Sequence, residues 1–445
     1  MSSQKKTSRL PDALDPTFGM GGKTILNFPE TLAIAAGDVI VTSAHKIVIA
    51  TELVLAPGEY PLHSAYGLCR LEKNGALDPS FGQEGYLRGH FLPAQGVNVS
   101  GLGALDNGKI LLYGISDTDS DVVDRFKPCL TRFHENGELD RGFGTDGTVT
   151  ILIPKPRDRE TYPDAQRPLY ASQGNKGQFS VLPDQKVLVL LDSQFSPEGE
   201  SWILQLMPDG TPDAGFNNGQ GYLVIKEAPS LPTIEVKGFV LQSNKIVVYG
   251  TVRMDSSTFA AVLVRFHQDG RLDADFGAAG YVIFTWEKLI AIDSVAVQAD
   301  GRLVIVGYYF SDNMAPYGIL MKFTANGQPD TSFNAGKPIV TPLKSGSYRW
   351  QGVAILGDGR VMVSGLSLPT DSEKNRLMVA RYLASGELDL SFGGGAGWVA
   401  TSIVEGNSVL FKSSALQDNA RFLCMGDMIN AETGSRRACA VGYVI

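Results

Sequence analysis

The chain has 445 residues, 43% of them hydrophobic, with 50 glycines, 23 prolines and a formal net charge of −8. That length and apolar content can bury a large core, and the abundance of turn formers suits an all-β protein. The negative balance and the lack of any basic run argue against a nucleic-acid surface, and no stretch approaches the roughly eighteen apolar residues of a membrane span.

Residues 1–10, MSSQKKTSRL, carry charge with no apolar segment behind them. They read as a disordered polar leader, not a secretory signal, which points to the cytoplasm with leaderless export as the alternative. From Leu14 onward one phrase recurs seven times: a Leu-Asp or Pro-Asp pair, a Phe, then usually Gly. The copies open at Leu14, Leu77, Leu139, Pro212, Leu272, Pro329 and Leu388, and their aromatics are Phe18, Phe81, Phe143, Phe216, Phe276, Phe333 and Phe392. Successive aromatics lie 63, 62, 73, 60, 57 and 59 residues apart. Self-similarity at such a length means stacked copies of one supersecondary unit, so residues 11–445 read as a single domain.

Two further elements recur upstream of each Asp-Phe phrase. One is a tight turn with a basic residue, an apolar run and often Gly, as in GKILLYG from Gly108, NKIVVYG from Asn244, GRLVIVG from Gly301 and GRVMVSG from Gly359. The other is an apolar run ending in a charge and an aromatic or aliphatic residue, as in VLVRFHQDG from Val262. These runs are short, rich in Val, Ile, Leu and Tyr, and bounded by Gly, Asn and Asp, which is strand composition without helical periodicity. Each unit therefore holds four antiparallel strands: inner (such as 295–297), second (246–249), third (261–266) and outer (281–284). Four-stranded units repeated radially make a propeller, here an all-β, seven-bladed one. The chain starts with an Asp-Phe phrase and an outer strand, 23–26, and finishes on a third strand, 439–444. The N-terminal strand is therefore expected to close the last blade as its outermost strand.

The recurring phrase resembles the hallmark of the bacterial delta-sixty repeat propellers, Gly-x-Leu-Asp-x-Ser-Phe-Gly-x-x-Gly. The resemblance spans roughly residues 14–445 and implies the propeller fold; it implies no activity. Two copies depart from it, with Pro212 and Pro329 for Leu and Asn217 and Asn334 after the Phe. Asn tolerates positive φ nearly as Gly does, so the turn is expected to survive there.

Most of the repeated residues have structural readings. Each Phe should plug the seam between its blade and the next, and each phrase Asp should cap its own turn. Arg70, Arg132, Arg265, Lys322 and Arg381 on third strands should pair with the Asp of their unit, with Gln205 breaking the pattern. The basic residues that begin the second strands, Lys46, Lys109, Lys186, Lys245, Arg302, Arg360 and Arg421, read as a solvated turn position, or alternatively as a ring for an acidic partner. Four cysteines form no metal spacing; Cys424 and Cys439 fall on neighbouring strands and could face each other, although a reducing compartment favours free thiols.

Chemistry is harder to read. Asp117, Asp119, Asp121 and Asp124 make D-x-D-x-D-x-x-D in one loop, an oxygen-rich pattern that calcium could use, although the loop lacks the Gly and Glu of an EF-hand. Apart from that calcium reading no cofactor is expected. The histidines are scattered, and no metal-hydrolase, serine-hydrolase or phosphate-loop motif is present. Strand direction puts the Asp-Phe phrases and basic turns on one face, and the outer-to-inner and second-to-third connections on the other. That second face varies from copy to copy, as functional loops on a rigid scaffold do. Its largest insertion, 154–176, carries Arg157, Arg159, Tyr162, Arg167 and Tyr170. His90 and Phe91 lie on the preceding outer-to-inner loop, and Trp286, Tyr348 and Trp350 on others. Aromatic and Arg side chains anchor recognition surfaces, so these ten are the candidate ligand-binding residues, with packing of the loops as the competing reading. The expected function is a non-catalytic binding scaffold for a protein or carbohydrate ligand around the central channel. The alternatives are a lectin-like propeller, and a hydrolase or lyase with carboxylates and His at the channel mouth.

Overall fold

The computed structural model describes residues 13–56, 64–117, 126–154, 179–193, 200–225, 234–254, 259–286, 289–341, 343, 346–368 and 374–445. The leader 1–10 and most of the insertion lie outside them. Seven four-stranded antiparallel sheets follow one another along the chain. In blade 1 the order from the axis outward is β2 (Thr31–Val41), β3 (Ile47–Leu55), β4 (Ser64–Leu71) and β5 (Tyr86–Gly89). Blades 2 and 3 repeat it with β6 (Gly96–Ala104) to β9 (Thr148–Thr150) and β10 (Phe179–Val181) to β13 (Tyr222–Ile225). Blade 4 runs from β14 (Ile234–Gln242) through β15 (Lys245–Arg253) and β16 (Phe259–His267) to β17 (Tyr281–Phe284). Blade 5 holds β18 (Ile290–Val297), β19 (Leu303–Phe310), β20 (Pro316–Phe323) and β21 (Ile339–Val340), and blade 6 runs from β22 (Ser347–Ile355) to β25 (Trp398–Thr401).

Blade 7 is closed by the other end of the chain. Its strands β26 (Ser408–Gln417), β27 (Arg421–Ile429) and β28 (Arg436–Val444) are completed by β1 (Lys23–Ile25), which pairs antiparallel with β28, Thr24 opposite Ala440. The Leu26 amide adds a bond to the Ala438 carbonyl, and the Asp15 amide one to Gly442. The expected clasp is therefore present, on a third strand three residues longer at its start than the apolar run 439–444 suggests.

The core is divided among seven apolar clusters, each shared by two neighbouring blades and each containing one phrase Phe. Phe276, for example, packs between Tyr249 and Leu263 of blade 4 and Ile292 and Ile305 of blade 5. The seam is tight enough to dictate a glycine. Gly327 of blade 5 has φ +82, and a Cβ there would lie 2.8 Å from the Phe276 ring. After the Phe, five copies place Gly at φ +52 to +63, and the two variant copies place Asn217 and Asn334 at φ 49 and 47, so the turn does survive.

Each phrase Asp organises the same seam. One carboxylate oxygen caps the turn, as Asp389 Oδ1 does by accepting the Ser391 amide at 3.0 Å. The other gathers cations. Asp273 Oδ2 accepts from Arg265 Nε and Lys245 Nζ, both at 2.6 Å, and Arg265 reaches across the seam to the Ala325 carbonyl while lying 4.3 Å from the Phe276 ring centre. This corrects the reading of the second-strand cations as solvated or as a ring for an acidic partner. All seven lie within ion-pair distance of a phrase Asp: Lys46 of Asp78, Lys109 of Asp140, Lys186 of Asp213, Lys245 of Asp273, Arg302 of Asp330, Arg360 of Asp389 and Arg421 of Asp15. A buried carboxylate needs such partners. Of the third-strand cations, Arg70, Arg132, Arg265 and Arg381 pair as expected. Lys322 makes no direct ion pair among the described residues; it sits 5.5 Å over the Phe333 ring and acts on Asp330 through its charge alone, while Arg302 Nε lies 3.2 Å from Asp330 Oδ2. In blade 3 neutral Gln205 donates to Asp213 at 2.9 Å. In blade 7 the third strand offers Gly442, and Arg421 alone holds Asp15.

Candidate channel-mouth site

The inner strands form the channel wall, and one backbone irregularity sets what they present to it. In blades 1, 2, 4, 5, 6 and 7 the inner strand carries a bulge at an equivalent place, at Gly37, Ser100, Lys237, Asp293, Gln351 and Lys412. A bulge adds one residue and re-aims its side chain. The glycine that ends the second-strand phrase makes room for it. A Cβ at Gly250 would fall 2.2 Å from the Glu235 carbonyl oxygen, and one at Gly307 2.0 Å from that of Ala291. Two residues before each bulge, toward the variable face, stand Ala35, Asn98, Glu235, Ala291, Arg349 and Leu410, with Glu52, Ile115, Thr251, Tyr308, Leu366 and Asp427 opposite them on the second strands.

Two charged clusters result. At the closure seam, Asp427 is fully buried; its Oδ1 accepts the Ala36 amide of blade 1, while Lys412 Nζ and Arg436 Nη1 lie 3.7 Å from Oδ2. Glu52 stands beside it with Asn98 Nδ2 at 3.3 Å and keeps part of its surface open, as befits a group facing a narrow channel. Burial pushes the Glu52 carboxyl up to about 7, and Lys412 and Arg436 only partly oppose this. Asp427 is also raised by burial, against the same two cations. One step deeper, Asp38 ties three blades together by accepting the Ser413 hydroxyl and the Leu102 amide.

The second cluster spans blades 4 to 6. Lys237 bonds Glu235 on its own strand, and that bond raises its pKa against the opposing effect of burial. Burial lifts Asp293 to about 6 although Lys237 and Arg349 pull the other way. The Arg349 guanidinium lies 4.4 Å from the Tyr308 ring centre. Carboxyls that hold protons near neutrality can donate as well as accept hydrogen bonds, and such perturbed groups gather at functional sites.

The expected recognition residues distribute differently. Arg157, Arg159, Tyr162, Arg167 and Tyr170 lie outside the described residues, as do Asp119 and Asp121; Asp117 ends β7 (Ile110–Asp117). Phe91 is buried against Tyr66, and Tyr348 and Trp350 are fully buried in the seam of blades 5 and 6, where the Tyr348 hydroxyl donates to the Thr341 carbonyl. These three rings face the interior. His90 is half-buried, and burial lowers its pKa. Trp286 is half-buried and meets Tyr309 edge-on at 5.4 Å; Tyr309 in turn stacks on Tyr317 at 5.7 Å, a partly open aromatic row on the rim of blade 5. None of the four cysteines forms a disulfide; Cys424 stands opposite Val441 and Cys439 opposite Gly426. Among the described residues no three His, Cys, Asp or Glu converge as metal ligands, and no helix is long and apolar enough to cross a membrane. Sequence reasoning missed Glu52, Lys237, Asp293, Arg349, Lys412 and Asp427. Their signal was present but non-periodic: charges at repeat positions that other copies fill with Ile115, Leu366 or Ala291.

No curated protein matches the chain. Among solved structures it is similar to a protein of unknown function from Dyadobacter fermentans, at 12% identity and TM-score 0.46, over 97% of this chain and 100% of that one. It is also similar to an alpha-L-arabinanase of Penicillium chrysogenum complexed with arabinobiose, at 10% identity and TM-score 0.43, over 97% and 96% of the two chains. A GH74 xyloglucanase of Xanthomonas campestris aligns at 11% identity and TM-score 0.46, over 93% of this chain and 55% of that one. Residues 241–276, 298–333 and 356–392 match the family described as a domain of unknown function (DUF5122) beta-propeller, each match ending on the phrase Phe of its unit, Phe276, Phe333 or Phe392. The chain thus carries DUF5122 beta-propeller repeats within a ring of seven blades.

Proposed function

We propose that this chain is a ligand-binding propeller of the delta-sixty repeat kind, whose recognition site is the mouth of the central channel on the variable-loop face. One contrast carries the reading. On the repetitive face the seven phrase aspartates are buried and each lies within ion-pair distance of a cation, the same arrangement in every blade. On the channel wall the ionisable groups differ from blade to blade, are unevenly paired and include two carboxyls raised to about 7 and about 6. Burying such groups costs stability, and apart from Asp427, which bonds the Ala36 amide across the closure seam, other blades fill equivalent positions with Ala, Leu or Gly. A polar ligand, a carbohydrate or an extended segment of a protein, is the partner such a wall suits.

A thermal-shift panel of metabolites and oligosaccharides tests this on wild type, Ala291→Trp and Lys337→Ala. Ala291→Trp fills the mouth, whereas Lys337 is exposed on the repetitive face. Ligands should lose their stabilising effect with the first variant and keep it with the second. Ligands indifferent to Ala291→Trp would place recognition elsewhere. A catalytic reading has one observation in its favour, the neighbouring Glu52 and Asp427 carboxyls, of which a protonated member could serve as general acid. Turnover of an aryl glycoside abolished by Glu52→Gln would favour it over binding alone.

A further inference from the structure

Arg349 is the channel-wall cation without an ion pair among the described residues. Lys237 has Glu235, and Lys412 and Arg436 have Asp427. The Arg349 Nε is buried with no hydrogen-bond partner in the protein, and so is the Oε1 of Gln351, two residues on along the same inner strand. The strand therefore presents an unanswered donor and, about 6–7 Å deeper along it, an unanswered acceptor. Buried polar atoms of this kind cost stability until something bonds them. The guanidinium is also pre-positioned, its face held 4.4 Å over the Tyr308 ring, and Tyr308 meets Phe310 edge-on at 5.4 Å. An Arg held on an aromatic plane with its fork free matches a carboxylate in two parallel bonds.

We propose that Arg349, Gln351 and Tyr308 form a subsite for a small hydroxylated organic carboxylate, of the chemical class of a uronic acid. The inference rests on the channel-mouth reading and names its ligand. The carboxylate takes the Arg349 fork, a hydroxyl donates to Gln351 Oε1, and the carbon skeleton lies along Tyr308 and Phe310. Charge decides between anions. Asp293 and Glu235 share the field around Arg349 and Tyr308, with Lys237 as the second cation. Both kinds of anion would meet the same guanidinium and the same neighbouring carboxyls, but those carboxyls repel a dianionic phosphate more strongly than a singly charged carboxylate. Asp293 adds a group able to bond ligand hydroxyls.

Isothermal titration of D-glucuronate, D-glucose and inorganic phosphate into wild type, Arg349→Gln, Arg349→Lys and Gln351→Ala tests it. Wild type should bind glucuronate at least about tenfold more tightly than glucose or phosphate, the difference a charge-assisted bidentate pair makes. Arg349→Gln should lose that preference, Arg349→Lys should keep part of it, and Gln351→Ala should weaken glucuronate with the preference over phosphate intact. Unfolding temperatures like wild type exclude misfolding of the variants. Glucuronate that fails to bind, binds Arg349→Gln as it binds wild type, or is matched by phosphate overturns the proposal. If another ligand from the panel is lost with Ala291→Trp but indifferent to Arg349→Gln, the subsite fails and the channel reading stands. Ligands indifferent to both variants sink both.

Discussion

Replacing Asp273 by Asn isolates the charge chemistry of the seams. Asp273 is 1% exposed and Arg265 3%, and the carboxylate receives Arg265 and Lys245 at 2.6 Å each. Asn keeps the shape and the turn cap but removes the charge, so a buried guanidinium is left without its counter-ion. Breaking a buried pair in this way costs about 3–5 kcal/mol. Blade 3 supplies the internal control, because Asp213 faces neutral Gln205 and the half-buried Lys186, each at 2.9 Å. There Asp213→Asn strands no buried guanidinium, and the loss should be that of one charged hydrogen bond, about 1.5–3 kcal/mol. Urea unfolding followed by tryptophan fluorescence reads both variants, since Trp202 and Trp350 are fully buried. Equal losses at the two sites, or a loss at Asp273 below about 1 kcal/mol as for a surface pair, would refute the reasoning.

Two further outcomes follow from the same geometry. The Glu52 carboxyl, ordinarily near 4.5, holds its proton to about 7 in the folded protein because of burial. Between those values the unfolded chain has released a proton that the folded one retains, so stability falls as pH rises through this window. The phrase aspartates act oppositely: burial would raise them, but their hydrogen bonds and cations hold Asp78, Asp140 and Asp389 at about 2, so they stabilise above the ordinary 3.8 and fail as pH falls toward 2. Unfolding temperature measured against pH should therefore peak on the acid side of neutrality, and Glu52→Gln should flatten the decline above the peak; an unchanged slope would count against a channel-held proton. The clasp gives the second outcome. A circular permutant that begins at Thr31 and carries residues 13–30 after Ile445, joined by a turn like 267–271, keeps every sheet and should fold, whereas simple deletion of residues 1–27 removes Phe18, Asp15 and β1 together and should not. A soluble, cooperative deletion variant would contradict closure of the ring.

What the sequence made legible was what repeats. Seven Asp-Phe phrases gave the blade count, the seam position of Phe276 and its counterparts, the turn caps and the clasp, because each of those roles is needed once per blade. The second-strand cations were visible too but misread, since a Lys after a turn looks solvated until the chain brings it to a buried Asp. The site was hidden for the converse reason. Glu52, Asp293 and Arg349 have no periodicity, and the bulge that turns Asp293 toward the axis shifts the alternation on which strand reading depends. The aromatic residues chosen from the loops show the limit of composition as a guide: Tyr348 and Trp350 belong to an inner strand whose alternate residues pack the seam, and only Trp286 of the chosen tryptophans reaches the rim.

The most direct measurement is a crystal structure of the protein with a ligand drawn from the thermal-shift panel. The ligand should lie in the channel mouth on the variable face, within hydrogen-bond distance of Arg349 or of the Glu52–Asp427 pair. Density for it on the Asp-Phe face, or along the outer strands with the channel wall unchanged, would contradict the account.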